Sequence, residues 1–366
     1  MKTNSFAIFL VFFFLICGNP AFSQSTSENS LPVRGFCIGA PNTSEVDAFV
    51  KFIAEELVPR KVNTLILRVD YNFQFESHPE LCDSLALSKT DVKKLVDVCR
   101  KNQIRIIPQI NLLGHQSWAS KVSNLLKVYP QFDETPQVKM PKKYKWPNDD
   151  KLYCKSYCPL HPDLHQIVFE LVDEICDVFE TDAFHAGMDE VFILASDDCP
   201  RCKGKNTAEL FAKAVNDLHN IIVRDLKMEM MIWGDRLLDD AKFKYGKWES
   251  SQNGTAPAID KIPQDIIICD WHYELRNSYP SVDYFISKGF RVMPSSWKNE
   301  KAALAFLNYA NNFKANPKLY GHLCTTWCSS GNLAKALSGE GEQSREVMEI
   351  ATTTKTMLMK IPVSRK

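Results

Sequence analysis

The chain has 366 residues, 45% of them apolar and 24% charged, which is enough to bury a large core and excludes a fibrous, disordered or low-complexity protein. Lysine plus arginine and aspartate plus glutamate each number 44, so no net charge draws the protein to nucleic acid, an anionic membrane or a polyanion. A neutral or modestly charged partner is expected, and several of the seven tryptophans stand at the ends of strand-like runs, where core packing alone does not usually put them.

In chain order, Lys2, an apolar run from Phe6 to Cys17, and the small-residue ending Ala21-Phe22-Ser23 read as a secretory signal peptide over residues 1–23. The mature protein, residues 24–366, is then exported to the periplasm or secreted. The apolar run is too short to span a bilayer of about 30 Å, and no later segment offers a long charge-free run, so no membrane span is expected. Cys17 raises lipoprotein anchoring as a rival, but Ile16 precedes it where a lipobox has a small residue.

Eight short β-branched or aliphatic runs follow: Val33 to Gly39, Asn63 to Tyr71, Ile104 to Asn111, Ala183 to Glu190, Glu229 to Asp235, Ile266 to Tyr273, Phe290 to Ser296 and Tyr320 to Trp327. Amphipathic runs alternate with them, including Val46 to Leu57, Thr90 to Lys101, His165 to Phe179, Ala208 to Leu226 and Lys301 to Asn312. Eight β/α units predict an α/β fold, a single (β/α)8 TIM barrel, with an open doubly wound sheet as the alternative. The barrel accounts for the polar or aromatic residue that ends nearly every strand, as if all fed one mouth. Arg34 is the exception, near the start of its strand. The stretch from Gln116 to Asp163, after the third strand, is too long for an ordinary loop and is expected to wall that mouth.

Twelve cysteines become eleven once Cys17 is cleaved away, so at least one thiol stays free. Cys37, Cys99, Cys176, Cys269 and Cys324 lie in apolar patterns and read as buried hydrophobes. Cys154 and Cys158 (C-x3-C) and Cys199 and Cys202 (C-x2-C) lie in polar loop sequence, and the four sulfurs suit either a structural zinc or two disulfides.

Asp189 and Glu190 end the fourth strand after His185-Ala186-Gly187-Met188. Two neighbouring acids held in different environments give one site a protonated donor and an ionised partner at a single pH. As a bare pair they are weak evidence, since most such pairs are solvated; at the C-terminal end of a barrel strand the functional reading is favoured.

These residues carry a resemblance. The mature chain resembles the catalytic barrel of the family 20 glycoside hydrolases, the β-N-acetylhexosaminidases, whose hallmark is His-x-Gly-Gly-Asp-Glu. Arg34-Gly35 is similar to the family's Arg-Gly, Gly114-His115 resembles the Gly-His ending the third strand, and Trp233, Trp271, Trp297 and Trp327 match pocket tryptophans. The resemblance implies an exo-acting retaining glycosidase that removes terminal β-linked N-acetylhexosamine from a glycan or oligosaccharide, with no cofactor and no active-site metal. It implies that the 2-acetamido oxygen is the nucleophile, forming an oxazolinium ion while Asp189 orients the acetamido group and Glu190 protonates the leaving oxygen. Substrate contacts are expected from Arg34, His115, His185 and the four tryptophans; Asp70, ending the second strand, reads as a helper acid or a loop cap, and Asp235 as a ligand of a sugar hydroxyl or a cap of the following helix.

Three positions depart from the family pattern. Met188 replaces the second glycine, Lys298 follows Trp297 where many members have a tyrosine, and Ser329 stands where a glutamate often binds outer hydroxyls. Tyr273 or Tyr71 is the candidate for the missing phenol. A non-catalytic carbohydrate-binding barrel is the alternative of a different class, and a two-carboxylate glycosidase using Asp70 or Asp235 as nucleophile is the mechanistic one.

Overall fold

A computed structural model describes residues 31–143 and 154–362; the signal-peptide segment lies outside them. The eight apolar runs form a closed, all-parallel barrel in the order β1 (Val33–Gly39), β2 (Thr64–Arg68), β3 (Arg105–Leu112), β6 (Ala183–Gly187), β7 (Glu229–Trp233), β8 (Ile267–Trp271), β9 (Arg291–Ser296) and β10 (Gly321–Thr325), with β10 pairing back onto β1. The two missing numbers are a small hairpin, β4 (Ser117–Trp118) and β5 (Lys121–Val122), in the long segment after β3. Among the described residues no helix is long and apolar enough to cross a membrane.

The side-chain period of two separates two cores. Val33, Cys37, Ile66, Ile107, Ala183, Met231, Ile267, Cys269, Met293 and Leu323 point inward and fill the barrel. Their strand neighbours Phe36, Ile38, Leu65, Leu67, Ile106 and Ile110 point outward beneath the helices. The helices start where the sequence supplies caps. Ser88 and Asp91 form a capping box at α2 (Lys89–Lys101), which buries Val92, Leu95, Val96 and Cys99 along one face. Asn299 and Ser344 cap the helices Glu300–Ala310 and Arg345–Lys360, each side chain accepting from one backbone amide.

This alternation corrects the placement of Arg34. It has the parity of Phe36 and Ile38, so its side chain leaves the barrel, and it pairs with His322 at the start of β10, far from the strand's C-terminal end. Its guanidinium donates to the carbonyls of Arg60 and Ile361. Arg34 therefore ties the first strand to chain at the base of the barrel and does not line the mouth.

Candidate active site

The inward series of each strand ends at the mouth. Continued by one step, it brings Trp233, Trp271, Trp297 and Trp327 from four successive strands into one aromatic wall. Trp233 lies 6.3 Å from Trp327, Trp271 lies 4.9 Å from Tyr273, and Tyr273 lies 5.3 Å from Trp297, measured between ring centroids. The Trp327 indole donates to the Tyr273 hydroxyl at 3.1 Å, and Thr325 Oγ1 lies 3.2 Å from the same oxygen. Tyr273 is thus a phenol of the mouth, whereas the Tyr71 hydroxyl is occupied as donor to Gln116 at 3.0 Å.

The acid pair owes its position to backbone conformation. Gly187, Met188 and Glu190 have φ of 70°, 72° and 49°, and this left-handed stretch turns both carboxyl groups into the same space. Glycine is required at 187 on a second count: a Cβ there would stand 2.5 Å from Asn111 Oδ1. Gly114 is required by contact with the pair itself, since its Cβ would lie 2.7 Å from the Asp189 carbonyl oxygen. That close approach delivers His115, whose Nε2 lies 3.1 Å from Asp189 Oδ2 and 3.3 Å from Glu190 Oε2.

The environments of the two acids diverge. Burial pushes the Glu190 carboxyl up to about 7, with the Asp189 and Asp235 charges adding to the rise and His115 opposing it. Burial acts in the same direction on Asp189, but the charge and hydrogen bond of His115 outweigh it and hold that carboxyl below its ordinary value. His115 in turn is disfavoured as a cation by burial, yet Cys154 and Asp189 lift it well above an ordinary imidazole. Burial pushes the Cys154 thiol up to about 12. Near neutral pH the site holds an ionised Asp189 and a Glu190 able to carry a proton. Asp189 Oδ1 is buried with no protein partner, which leaves one oxygen of the ionised acid to accept from a ligand.

Asp235 and Asp70 hold this arrangement from behind. Asp235 is 2% exposed, and both its oxygens are engaged: Oδ2 accepts from the Glu190 amide at 2.9 Å and Arg236 Nε at 2.6 Å, and Oδ1 from the Trp271 indole at 3.1 Å. It clamps Glu190 and Trp271, with Oδ1 accepting a single bond. Asp70, also at positive φ (50°), accepts from the Asn111 amide at 2.8 Å on Oδ1 and fixes the end of β3. His185 points inward under Trp233 with centroids 4.6 Å apart, accepts from the Gly187 amide on Nδ1, and is kept neutral by burial, its pKa pulled down to about 3. It supports the wall and the turn and makes no direct bond to the acids.

Two members of the site escaped the sequence reading. Cys154 does not join the other loop cysteines. It lies 3.4 Å from His115 Nδ1 and 3.7 Å from Glu190 Oε2, because the long segment after β3 folds back over the mouth. Trp118 of the hairpin stacks on His115 from the same side, at 5.9 Å. The second is Arg68, at the inward-facing end of β2, with its guanidinium 4.4 Å from the Trp327 ring centroid and Nη2 donating to the Thr326 carbonyl at 3.1 Å. The signal was available: Arg68 has the parity of Ile66 and ends its strand, the position that Arg34 lacks. Lys298 pairs instead with Glu346, and Ser329 caps the helix Ser330–Ser338.

A (β/α)8 barrel with an acid pair of split protonation, set in a wall of indoles at the C-terminal ends of its strands, has the fold and site geometry of the glycoside hydrolases. The chain belongs to glycosyl hydrolase family 20, whose catalytic domain it matches over residues 67–351. Its fold is shared with a chitobiase of Flavobacterium johnsoniae (TM-score 0.62, 16% identity, 91% of this chain and 48% of that one). It is shared equally with a β-N-acetylhexosaminidase of Bacteroides fragilis (TM-score 0.59, 14% identity, 92% and 66%). A third is an exo-β-N-acetylglucosaminidase of Vibrio harveyi solved with N-acetylglucosamine (TM-score 0.59, 12% identity, 92% and 55%). The chain thus spans about half to two thirds of the length of these structures.

Proposed function

We propose that the protein is an exo-acting, retaining β-N-acetylhexosaminidase that uses the substrate's own 2-acetamido oxygen as nucleophile. The observation that carries this reading is the state of the carboxylates. Asp235, the candidate enzyme nucleophile nearest the pair, has both oxygens bound by protein donors, while ionised Asp189 keeps Oδ1 free. A free acceptor oxygen suits the acetamido N–H, and an ionised one balances the positive charge of the oxazolinium ion as it forms. Glu190, protonated, then donates to the departing glycosidic oxygen and afterwards takes a proton from water.

The indoles of Trp233, Trp271, Trp297 and Trp327 offer flat apolar faces to the pyranose C–H surface and the acetamido methyl. The Tyr273 hydroxyl, standing among them, takes the part of the phenol absent after Trp297. A panel of chromogenic glycosides with and without the 2-acetamido group tests the reading. Cleavage confined to the 2-acetamido members is expected; equal cleavage of 2-hydroxy glycosides, or a 2-fluoro sugar trapped on a carboxylate, would give the reaction to a two-carboxylate mechanism.

Arg68 is assigned to the outer hydroxyls of the sugar, on its placement beside Trp327. Arg68→Met, which keeps much of the stem against the indole, is expected to raise KM about tenfold with kcat changed far less, the loss of roughly one charge-assisted hydrogen bond. Steady-state kinetics on an N-acetylhexosaminide decide it, and a fall in kcat with KM unmoved would take Arg68 out of that role.

A further inference from the structure

The segment that covers the mouth is fastened to the loop after β6 at a second cluster, away from the acid pair. Glu134 and Cys158 come from the long segment after β3, and Cys199 and Cys202 from the Cys-Pro-Arg-Cys turn that follows Glu190. All four residues are buried, and one donor atom from each lies within 4.8 Å of all the others. Cys158 and Cys202 Sγ are 3.3 Å apart. A tetrahedral zinc with Zn–S bonds of about 2.3 Å needs sulfurs about 3.8 Å apart, so small side-chain adjustments suffice.

A second observation points to a ligand rather than to a chance meeting of thiols. Glu134 is 0% exposed; one of its oxygens accepts from the Ser196 amide at 3.0 Å, and the other, Oε2, is buried facing the Cys199 and Cys202 thiols without a hydrogen bond of good geometry. A buried carboxylate so placed is costly unless a proton or a cation completes it, and three sulfurs around it suit a cation. The backbone is arranged for anionic sulfur as well. The Cys202 amide points at Cys199 Sγ at 3.4 Å, the Arg201 amide also serves Cys199, and the Leu160 amide serves Cys158. Such amides offset part of the charge that three thiolates and a carboxylate bring to one ion.

We propose that Glu134, Cys158, Cys199 and Cys202 bind one zinc ion, which staples the segment carrying Cys154 to the loop that leaves the catalytic acid. Thiolate-rich donors with one oxygen and a closed, four-coordinate shell favour zinc over calcium or magnesium. Cys154, foreseen as a fourth sulfur ligand, is replaced in the set by Glu134.

The test uses the full chain, purified without added metal. Elemental analysis is expected to find about one zinc per chain, unchanged in Cys154→Ser and lost in Cys202→Ser. Glu134→Gln, a neutral isostere that preserves the packing, should weaken zinc retention at least roughly tenfold in competition with a chromophoric chelator. Should Cys202→Ser fail to fold, cobalt exchanged into the wild type decides the question, with thiolate-to-cobalt charge-transfer bands and the intense visible bands of a tetrahedral site expected. The proposal is overturned by a Cys158–Cys202 disulfide in peptide maps of metal-free protein. It is overturned equally by another metal in stoichiometric amount, or by zinc that is lost in Cys154→Ser and kept in Cys202→Ser, which would place the ion on His115, Cys154 and Glu190.

Discussion

Asp189→Asn is expected to lower kcat on 2-acetamido glycosides by about 10² to 10⁴, with KM changed far less, because the residue acts on charge that develops only as the acetamido oxygen attacks. The structure makes the effect larger than the loss of one hydrogen bond. Asp189, beside Cys154, is among the groups that raise the His115 pKa, so the neutral amide also shifts the ring beside Glu190 towards its neutral form and changes the field in which the acid works. The sharper readout is inhibition. A thiazoline that mimics the oxazolinium ion should bind the wild type much more tightly than substrate does and lose that advantage in the variant. A variant that keeps tight thiazoline binding would show that Asp189 does not contact the acetamido group.

Glu190→Gln is the second large effect. Turnover of natural glycosides, whose leaving oxygen is strongly basic, should fall by about 10³ or more, while aryl glycosides with good leaving groups lose much less, since an acid is needed only where the departing oxygen demands a proton. Equal losses on both would remove Glu190 from the donor role. The pH dependence follows from its position. With the carboxyl at about 7, kcat/KM on natural glycosides should decline as pH rises through that value. The same shift has a stability sign. A carboxyl whose folded pKa is raised is protonated in the native state where the unfolded chain is already ionised, so native stability falls as pH climbs from about 4.5 to 7. The glutamine variant lacks this loss and should melt above the wild type at pH 8, with little difference at pH 4. Thermal denaturation at the two pH values checks the sign.

The barrel was legible because its signal is repeated. Eight apolar runs with polar or aromatic endings, each followed by a helical pattern, leave few arrangements, and the tryptophans at 233, 271, 297 and 327 fall on one wall simply by continuing the inward parity of their strands. Arg34 was misplaced for lack of the same bookkeeping: its motif neighbour Gly35 suggested a site, while its parity and its position at a strand start assign it to the base. Asp235 reads as a hydroxyl ligand or a helix cap, and sequence does not reveal that its oxygens accept from the Glu190 amide, Arg236 and Trp271. Cys154 was grouped by spacing with Cys158, although the chain turns between them and sends one sulfur to the acid and the other to the Cys199–Cys202 turn. Spacing along a loop carries little information about direction, and it is in the long segment after β3 that the reading and the fold part.

Asp70, Leu113, His115, Met188 and Glu190 all hold left-handed backbone conformations, each of which costs an L-residue roughly 1 kcal/mol or more. Together they amount to several kcal/mol, a sizeable share of the 5–15 kcal/mol that typically separates a native domain from its unfolded chain. A protein engineer selecting for heat resistance alone would be drawn to the less buried of these positions, where glycine relaxes the main chain; at fully buried Leu113 and Met188 the lost packing outweighs that relief. Those same changes would let the acid pair and its histidine drift out of alignment. Directed evolution for stability has to be scored on turnover in every round, or it will harvest thermally robust barrels with silent mouths.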